Sequence, residues 1–528
     1  MNPFSPSILR IVKRLNLISL AGVTLACTES AVLSISDTKL LRTDNGAPTI
    51  VSFDLDWPRS FRDTLTWDAA WVFAKFQGPD GVWKHATLST DPTHHTVETD
   101  NGATPEIDPA DDGRGVFLYP ANRGSGRVQW NDVRLRWEHG TDGIQAGMNV
   151  RVMAFAIEMT HIPQGSFHIG DGDIGNVAGN FQARDGGNPF LIEGEGPIQL
   201  GGTDATALGN AGGFGMRPGA ADDFGDSVPA MLPGAFPKVY GSFYVMKREL
   251  TQGEYAAFLN HLSPEQQQQR NPALSDNSPA QPGRNRYTIT TVAPFFAFVP
   301  QRAANELSWA DGAAFADWAA LRPLTELEFE KASRGPAYPE PGEFPWGSTN
   351  IWTTRYALHS PESPQERVDN PGTGSGNASY VETMGSARCP SCIVGPLNTG
   401  AFAAADADRE ERGASYYGVL ELGGNLAERT VTVGNSSGRR FDGTHGDGHL
   451  NAQGRAAGPE VATWPGSTAT GDLSQVTGAV GTGFRGGSWA SPSGELHTST
   501  RVLATTADNK RDPTFGYRFA RTRQSRNP

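Results

Sequence analysis

The sequence predicts an α+β protein in which an N-terminal β-sandwich precedes a larger domain rich in irregular structure. Its 63 glycines and 37 prolines make up 100 of the 528 residues, which favours short elements joined by many ordered loops. Residues 31–156 read as short strands and show no helical period. Three helix-start signals then follow between residues 251 and 335. The prediction is therefore one all-β region followed by one mixed region.

Composition excludes several classes of protein. Hydrophobic residues are 37% and charged residues 19%, which fits neither a membrane-embedded nor a charge-driven disordered chain. The formal net charge is −13 and no basic run stands out, so a nucleic-acid partner is not expected. Only three cysteines occur, which excludes a disulfide-dense scaffold.

The first 27 residues are typical of an export signal. Three basic residues, Arg10, Lys13 and Arg14, precede a mostly apolar run, Leu15–Ala26. This run is too short to span a bilayer, which takes about 20 residues, and a cleaved signal is the better interpretation. It ends in Thr-Leu-Ala-Cys at Cys27, which resembles a bacterial lipobox whose cysteine is lipidated. We expect an exported cell-envelope protein, on the periplasmic face or as an outer-membrane lipoprotein. Ordinary signal-peptidase cleavage nearby is the alternative.

Cys389 and Cys392 form a Cys-x-x-Cys pair. In an exported protein this spacing favours a local structural disulfide over a redox function. No second pair supports a four-cysteine zinc site.

Residues 31–156 contain the predicted strands of the β-sandwich. Segments 71–76 and 82–88 flank Pro79-Asp80-Gly81, which is a hairpin signature. Further short strands are predicted at 115–119, 133–137 and 150–157. An immunoglobulin-like sandwich is the natural way to pack them.

Residues 171–236 are Gly-rich and weakly hydrophobic, so we expect a long surface insertion. Three helices are predicted after it. Thr251 with Glu254, Ser308 with Asp311 and Thr325 with Glu328 each have the spacing of a capping box, in which the first residue caps the helix that follows.

A series of short motifs runs through residues 157–523. They are, in order, EMTHIPQGSF at 158–167, FYVMKRELT at 243–251, LSWADGAAF at 307–315, RPLTELEFE at 322–330, FPWG at 344–347, YGVLELGGNLAE at 417–428, RGGSW at 485–489 and FGYRFAR at 515–521. This series resembles the formylglycine-generating enzyme family, the sulfatase-modifying-factor domain. The resemblance implies a C-type-lectin-like α+β fold for 157–523, with 171–236 as an insertion. Function does not follow from this fold, which hosts oxidases, iron enzymes and binding proteins.

The resemblance also implies where copper would bind. In the family, two cysteines shortly after the Gly-Gly-Ser-aromatic motif hold copper, and the corresponding residues here are Ser491 and Leu496. Leucine has no donor atom and a neutral hydroxyl is a poor substitute for a thiolate toward Cu(I). We therefore expect no copper and no formylglycine-type oxidation.

A calcium site is implied by the same resemblance. The ligands carried over are the side chains of Glu421 and Glu428 and the carbonyls of Gly424 and Leu426. Carboxylates and backbone oxygens from one glycine-bent loop are hard donors suited to Ca²⁺. The alternative is that Glu428 caps or pairs within the loop.

Other candidate residues lie nearby in the sequence. His445, Asp447 and His449 offer transition-metal donors, but the spacing places no third protein ligand and an ordinary glycine-rich loop is the favoured interpretation. Trp489 and Arg501 flank the lost cysteine positions, and we expect them to serve internal packing or to edge the family's cleft.

The functional hypothesis is an exported, lipid-anchored, non-oxidase member of this family that acts as a binding or structural protein of the cell envelope. Its partner would be a protein or a glycan. The alternative is an envelope tailoring enzyme, metal-dependent and oxidoreductase-like, in which the 445–449 cluster or Ser491 carries the chemistry.

Overall fold

The structure is a computed structural model that describes residues 32–42, 48–98, 103–145, 147–173, 175–184, 186–211, 215–274, 279–385, 392–404, 406–470 and 473–522. Strands account for 31% of it and helices for 12%. The predicted α+β class is confirmed, with strands in the majority. The predicted signal segment 1–27, including Cys27, lies outside the described residues.

Nine strands form the N-terminal part of the chain. They are β1 (Ser34–Leu41), β2 (Thr49–Arg62), β3 (Asp68–Gln77), β4 (Trp83–His85), β5 (Thr96–Glu98), β6 (Pro105–Pro109), β7 (Val116–Pro120), β8 (Gly124–Trp137) and β9 (Arg151–Ile162). The predicted hairpin is present as β3 and β4, which pair antiparallel from Lys75↔His85 to Gln77↔Trp83.

Two sheets of these strands enclose an apolar core. One sheet has the order β1-β2-β8-β5, and the other contains β6, β7, β3, β4 and β9. Trp57, Trp130 and Trp137 from the first sheet are buried in one cluster with Val72 and Phe76 of β3. Burial of large aromatic side chains supplies most of the stabilisation of such a core.

The strand β9 joins the two halves of the molecule. Its first part pairs with β3, from Gln77↔Arg151 to Asp68↔Thr160, and its second part pairs with β16 (Phe243–Met246). One sheet of eight strands therefore runs from the N-terminal region into the C-terminal region. The predicted domain boundary at 156/157 falls inside this strand, because a continuous extended segment serves both halves.

The remaining strands are short. They are β10 (Phe167–Ile169), β11 (Phe181–Ala183), β12 (Phe190–Ile192), β13 (Ile198–Leu200), β14 (Leu208–Asn210), β15 (Ala230–Leu232), β16, β17 (Arg322–Pro323), β18 (Leu358–His359), β19 (Arg367–Val368), β20 (Ala427–Val431), β21 (Ser467–Thr470), β22 (Leu473–Val476), β23 (Thr482–Arg485), β24 (Phe515–Gly516) and β25 (Phe519–Thr522). Strand β20 lies between β23 and β24 in a three-stranded sheet.

Five α-helices are described: α1 (Gln252–Asn260), α2 (Pro264–Arg270), α3 (Trp309–Trp318), α4 (Glu326–Arg334) and α5 (Val381–Met384). The capping boxes predicted for α1, α3 and α4 are confirmed, with both reciprocal hydrogen bonds present in each. Helix α2 was not predicted, although Ser263 and Gln266 form the same device. Among the described residues, no helix is long and apolar enough to cross a membrane.

The Gly-rich segment 171–236 is built into the core. Phe181, Leu200, Leu208 and Leu232 from its short strands are fully buried in the main apolar cluster of the C-terminal region. This differs from the expected surface insertion. A few well-placed apolar residues suffice to anchor the segment, although its average hydropathy is low.

Candidate metal site

The loop before β20 has a backbone conformation that depends on glycine. Glu421, Gly424 and Asn425 all have positive φ, at 55°, 86° and 61°. A Cβ on Gly424 would lie 2.4 Å from the carbonyl oxygen of Ser379, which leaves room for glycine alone. The loop is thus folded tightly against the segment before α5.

The two glutamates of this loop each have one partnered and one unpartnered oxygen. Glu421 Oε1 accepts a hydrogen bond from the backbone N–H of Gly400 at 2.6 Å. Glu428 Oε1 accepts from Arg518 Nε at 2.8 Å. The Oε2 atoms of both side chains are buried and have no hydrogen-bond partner. Buried carboxylate oxygens without a partner are costly, and a bound cation would satisfy them.

A third buried glutamate holds the loop in place. Glu249 Oε1 accepts from the backbone N–H of Leu426 at 2.9 Å, and its Oε2 accepts from the side-chain amide of Asn425. Burial, followed by the charges of Glu421 and Glu428, raises the pKa of Glu249 well above its ordinary value. Sequence reasoning missed Glu249. The only signal for it was its place as the third of three charged residues, 247–249, that follow the apolar strand β16.

The electrostatics of the loop favour a cation. Burial raises the pKa of Glu421 despite the charge of Arg248, and it raises the pKa of Glu428 despite its ion pair with Arg518. A divalent cation would oppose both shifts because it stabilises the ionised carboxylates. The buried, unpartnered Oε2 atoms of Glu421 and Glu428 are hard oxygen donors of the kind that Ca²⁺ prefers.

Ser491 and Leu496, at the positions that correspond to the copper cysteines, contact other parts of the protein. Ser491 is buried, and its hydroxyl donates to Glu495 Oε2 at 2.8 Å. Leu496 has no exposed surface and packs in an apolar cluster with Phe344, Trp346 and Tyr380. Neither position presents a soft donor.

Trp489 and Arg501 are internal. Trp489 Nε1 donates to the carbonyl of Pro513 at 3.0 Å, and its ring is buried. Arg501 has no exposed surface and pairs with Asp222 and Glu326, at 2.7 Å in both cases. Of the two roles expected for these residues, the contacts match internal packing and hydrogen bonding.

The side chains of His445, Asp447 and His449 do not converge on one point. His445 Nε2 accepts a hydrogen bond from the backbone N–H of Thr522 at 2.9 Å. His449 is exposed, with Nδ1 3.3 Å from Asp447 Oδ1. The ring of His445 thus faces β25, away from the group formed by the other two.

Of the cysteine pair, only Cys392 is described, and it is disulfide-bonded. Its sulfur fills the space beside Gly385, where a Cβ would lie 2.1 Å away. Cys389 lies outside the described residues.

Comparison with known proteins identifies the family of this chain. No curated protein sequence matches the chain. The family model for the sulfatase-modifying factor enzyme 1-like domain matches residues 203–523, which is more than half of the chain. With its motifs in order on this fold, the chain belongs to the sulfatase-modifying factor family.

Proposed function

We propose that this chain is an exported, lipid-anchored member of the family that does not carry out copper-dependent oxidation and acts as a binding or structural protein of the cell envelope. The observation that carries this proposal is Leu496. It stands at one of the two copper positions with no exposed surface, in an apolar cluster.

The chemistry of the two positions supports the proposal. Cu(I) prefers soft thiolate or thioether ligands. Leu496 offers none, and the Ser491 hydroxyl is engaged with Glu495. A copper ion here would also displace the side chains that pack around Leu496, at the cost of apolar contacts.

Calcium is the cofactor we propose. Glu421 and Glu428 would bind it through their side chains, and Gly424 and Leu426 through their carbonyls. Calcium would supply positive charge to a region where three buried glutamates, Glu249, Glu421 and Glu428, lie on or against the loop. Its role would be structural, because it would fix the loop that leads into β20.

Copper binding and oxygen consumption test the absence of oxidase activity. Purified mature protein is titrated with Cu(I) against a competing chelator, and oxygen uptake is followed with a thiol-containing peptide. We expect no stoichiometric copper binding and no uptake above the protein-free rate. A Ser491→Cys/Leu496→Cys double variant is the matched control with the family's donors restored. Stoichiometric, high-affinity copper binding by the natural chain would overturn the proposal.

Membrane attachment is tested separately through Cys27. We expect the full chain expressed in a bacterium to incorporate labelled fatty acid and to partition into detergent. A Cys27→Ser variant should do neither. Equal partitioning of the two proteins would contradict the lipid anchor and leave the question of copper untouched. A glycan array and cross-linking in intact cells would then search for the proposed glycan or protein partner in the envelope.

A further inference from the structure

Three carboxylates from distant parts of the chain meet at the end of α3. Asp317 lies in the last turn of this helix, Asp447 in the loop 443–449 and Glu460 in a turn before β21. One oxygen from each lies within 4.8 Å of the other two. This spacing allows all three oxygens to contact a single cation, because Ca²⁺–oxygen distances are about 2.3–2.6 Å.

The group is short of compensating partners. Asp317 has no exposed surface, and its Oδ1 accepts from the backbone N–H of Asp447 at 3.0 Å. Asp317 Oδ2 is buried with no hydrogen-bond partner, and so is Glu460 Oε1. In the described part of the chain, no lysine or arginine forms an ion pair with Asp317 or Glu460. Such a group is unstable unless it holds a proton or a cation.

The ammonium of Lys75 attracts Asp317 electrostatically but forms no ion pair with it. Its Nζ donates to the carbonyls of Trp318 at 2.6 Å and Gly448 at 2.9 Å, and it lies 3.0 Å from His85 Nδ1. These contacts account for its three hydrogens. Lys75 lies on β3 of the N-terminal sheet and binds the carbonyls at the end of α3 and in the loop 443–449. It does not pair with the carboxylates.

Two glycines lie close to these groups. A Cβ on Gly446 would lie 2.3 Å from the Cα of Asp317. A Cβ on Gly458 would lie 2.3 Å from both carboxylate oxygens of Glu460. The loop can approach the end of α3 only because no side chain stands at position 446, whereas the contact at Gly458 involves only the flexible end of the Glu460 side chain.

We propose that Asp317, Asp447 and Glu460 bind one hard divalent cation, calcium, at the junction between the N-terminal sheet and the C-terminal region. Carboxylate oxygens are the donors that Ca²⁺ prefers, whereas a transition metal would favour imidazole nitrogen. His445 faces away from the group. The site is separate from the loop of Glu421 and Glu428 and does not depend on it.

The environment of Asp317 supports this assignment. Burial, followed by the charges of Asp447 and Glu460, raises the pKa of Asp317 well above its ordinary value. A bound divalent cation would oppose this shift, because it stabilises the ionised carboxylates.

The test is calcium titration of the full chain after removal of metal with a chelator. All proteins carry Glu421→Gln, which removes a proposed side-chain ligand of the other candidate site and leaves the buried pair of Glu428 and Arg518 intact. Isothermal titration calorimetry then gives the stoichiometry and the affinity. We expect one calcium per chain.

Two variants address the ligands, and each changes a partly exposed side chain so that folding is retained. Glu460→Gln and Asp447→Asn should each weaken binding at least tenfold, while near-ultraviolet circular dichroism stays unchanged. Glu193→Gln, an exposed glutamate of the Gly-rich segment, is the matched control and should bind as its parent. Binding that is equal in Glu460→Gln and the control would overturn the proposal. So would binding weaker than about 1 mM in every protein, because calcium modules outside cells reach that affinity or better.

Discussion

Arg518 and Glu428 form a fully buried ion pair at the start of β20, with Nε and Nη2 of the arginine each 2.8 Å from Oε1 of the glutamate. The same guanidinium donates to the carbonyls of Met246 at 2.7 Å and Leu420 at 2.6 Å. One arginine therefore ties the candidate calcium loop to β16. It engages only one oxygen of Glu428 and leaves the other for a cation.

Arg518→Met is expected to destabilise the protein by about 3–5 kcal/mol, because it leaves the Glu428 carboxylate buried and unpaired. Urea unfolding at pH 7 measures the change. The control is Arg367→Met, which removes an arginine whose side chain is 57% exposed and 3.9 Å from Asp369. That change should stay within about 0.5 kcal/mol. A loss below about 1 kcal/mol in Arg518→Met would contradict the structural role given to the pair.

Glu421→Gln, which leaves the buried pair of Glu428 and Arg518 intact, is expected to have opposite effects with and without calcium. Without calcium, the change removes repulsion with Glu249, so the free energy of unfolding should be unchanged or higher than in the parent. With calcium at 100 times its dissociation constant, the parent should gain about 2.7 kcal/mol that the variant lacks. Unfolding curves in chelator and in calcium give both numbers, with Glu382→Gln as an exposed control. A variant that keeps the whole calcium response would count against this loop.

Arg501→Met is expected to cost about 3 kcal/mol or more in the free energy of unfolding. The change removes the partner of Asp222 and one of the two arginines that pair with Glu326. Burial alone would raise the pKa of Glu326, but Arg501 and Arg485 hold it below its ordinary value. Arg217→Met, at a side chain that is 54% exposed, is the control and should cost less than about 1 kcal/mol. If Arg501→Met left stability intact and abolished ligand binding, the residue would belong to a cleft instead.

Acid is expected to destabilise the protein through His85. Burial, followed by the charge of Lys75, lowers the pKa of His85 well below 6.5. The unfolded chain then binds a proton near pH 6.5 while the folded one does not, so stability is retained above this pH and lost as pH falls below it. The slope for one such histidine is about 1.4 kcal/mol per pH unit.

Comparison of stability against pH between pH 7 and 5 checks this prediction. In His85→Gln, the slope of the free energy of unfolding against pH should fall by about 1.4 kcal/mol per pH unit. His359→Gln, at a side chain that is 43% exposed, should leave this slope unchanged. Identical slopes in all three proteins would rule out His85 as the group responsible.

Sequence reasoning succeeded where the signal was local. The capping boxes of α1, α3 and α4 each join residues three positions apart, so the pattern in the chain is also the contact in space. Family order likewise placed Glu421 and Glu428 in one glycine-bent loop.

Tertiary structure alone decided which distant residues meet. Glu249, which follows β16, and Arg518, which precedes β25, reach the candidate calcium loop, and Asp317, Asp447 and Glu460 come together from three segments. His445, two residues from Asp447, faces β25 instead. Neighbours along an extended loop point to different sides, whereas partners more than a hundred residues apart are selected by packing. The chain by itself therefore determined its elements and its family, and the fold determined which charges share a site, because the cost of burying them depends on what surrounds them.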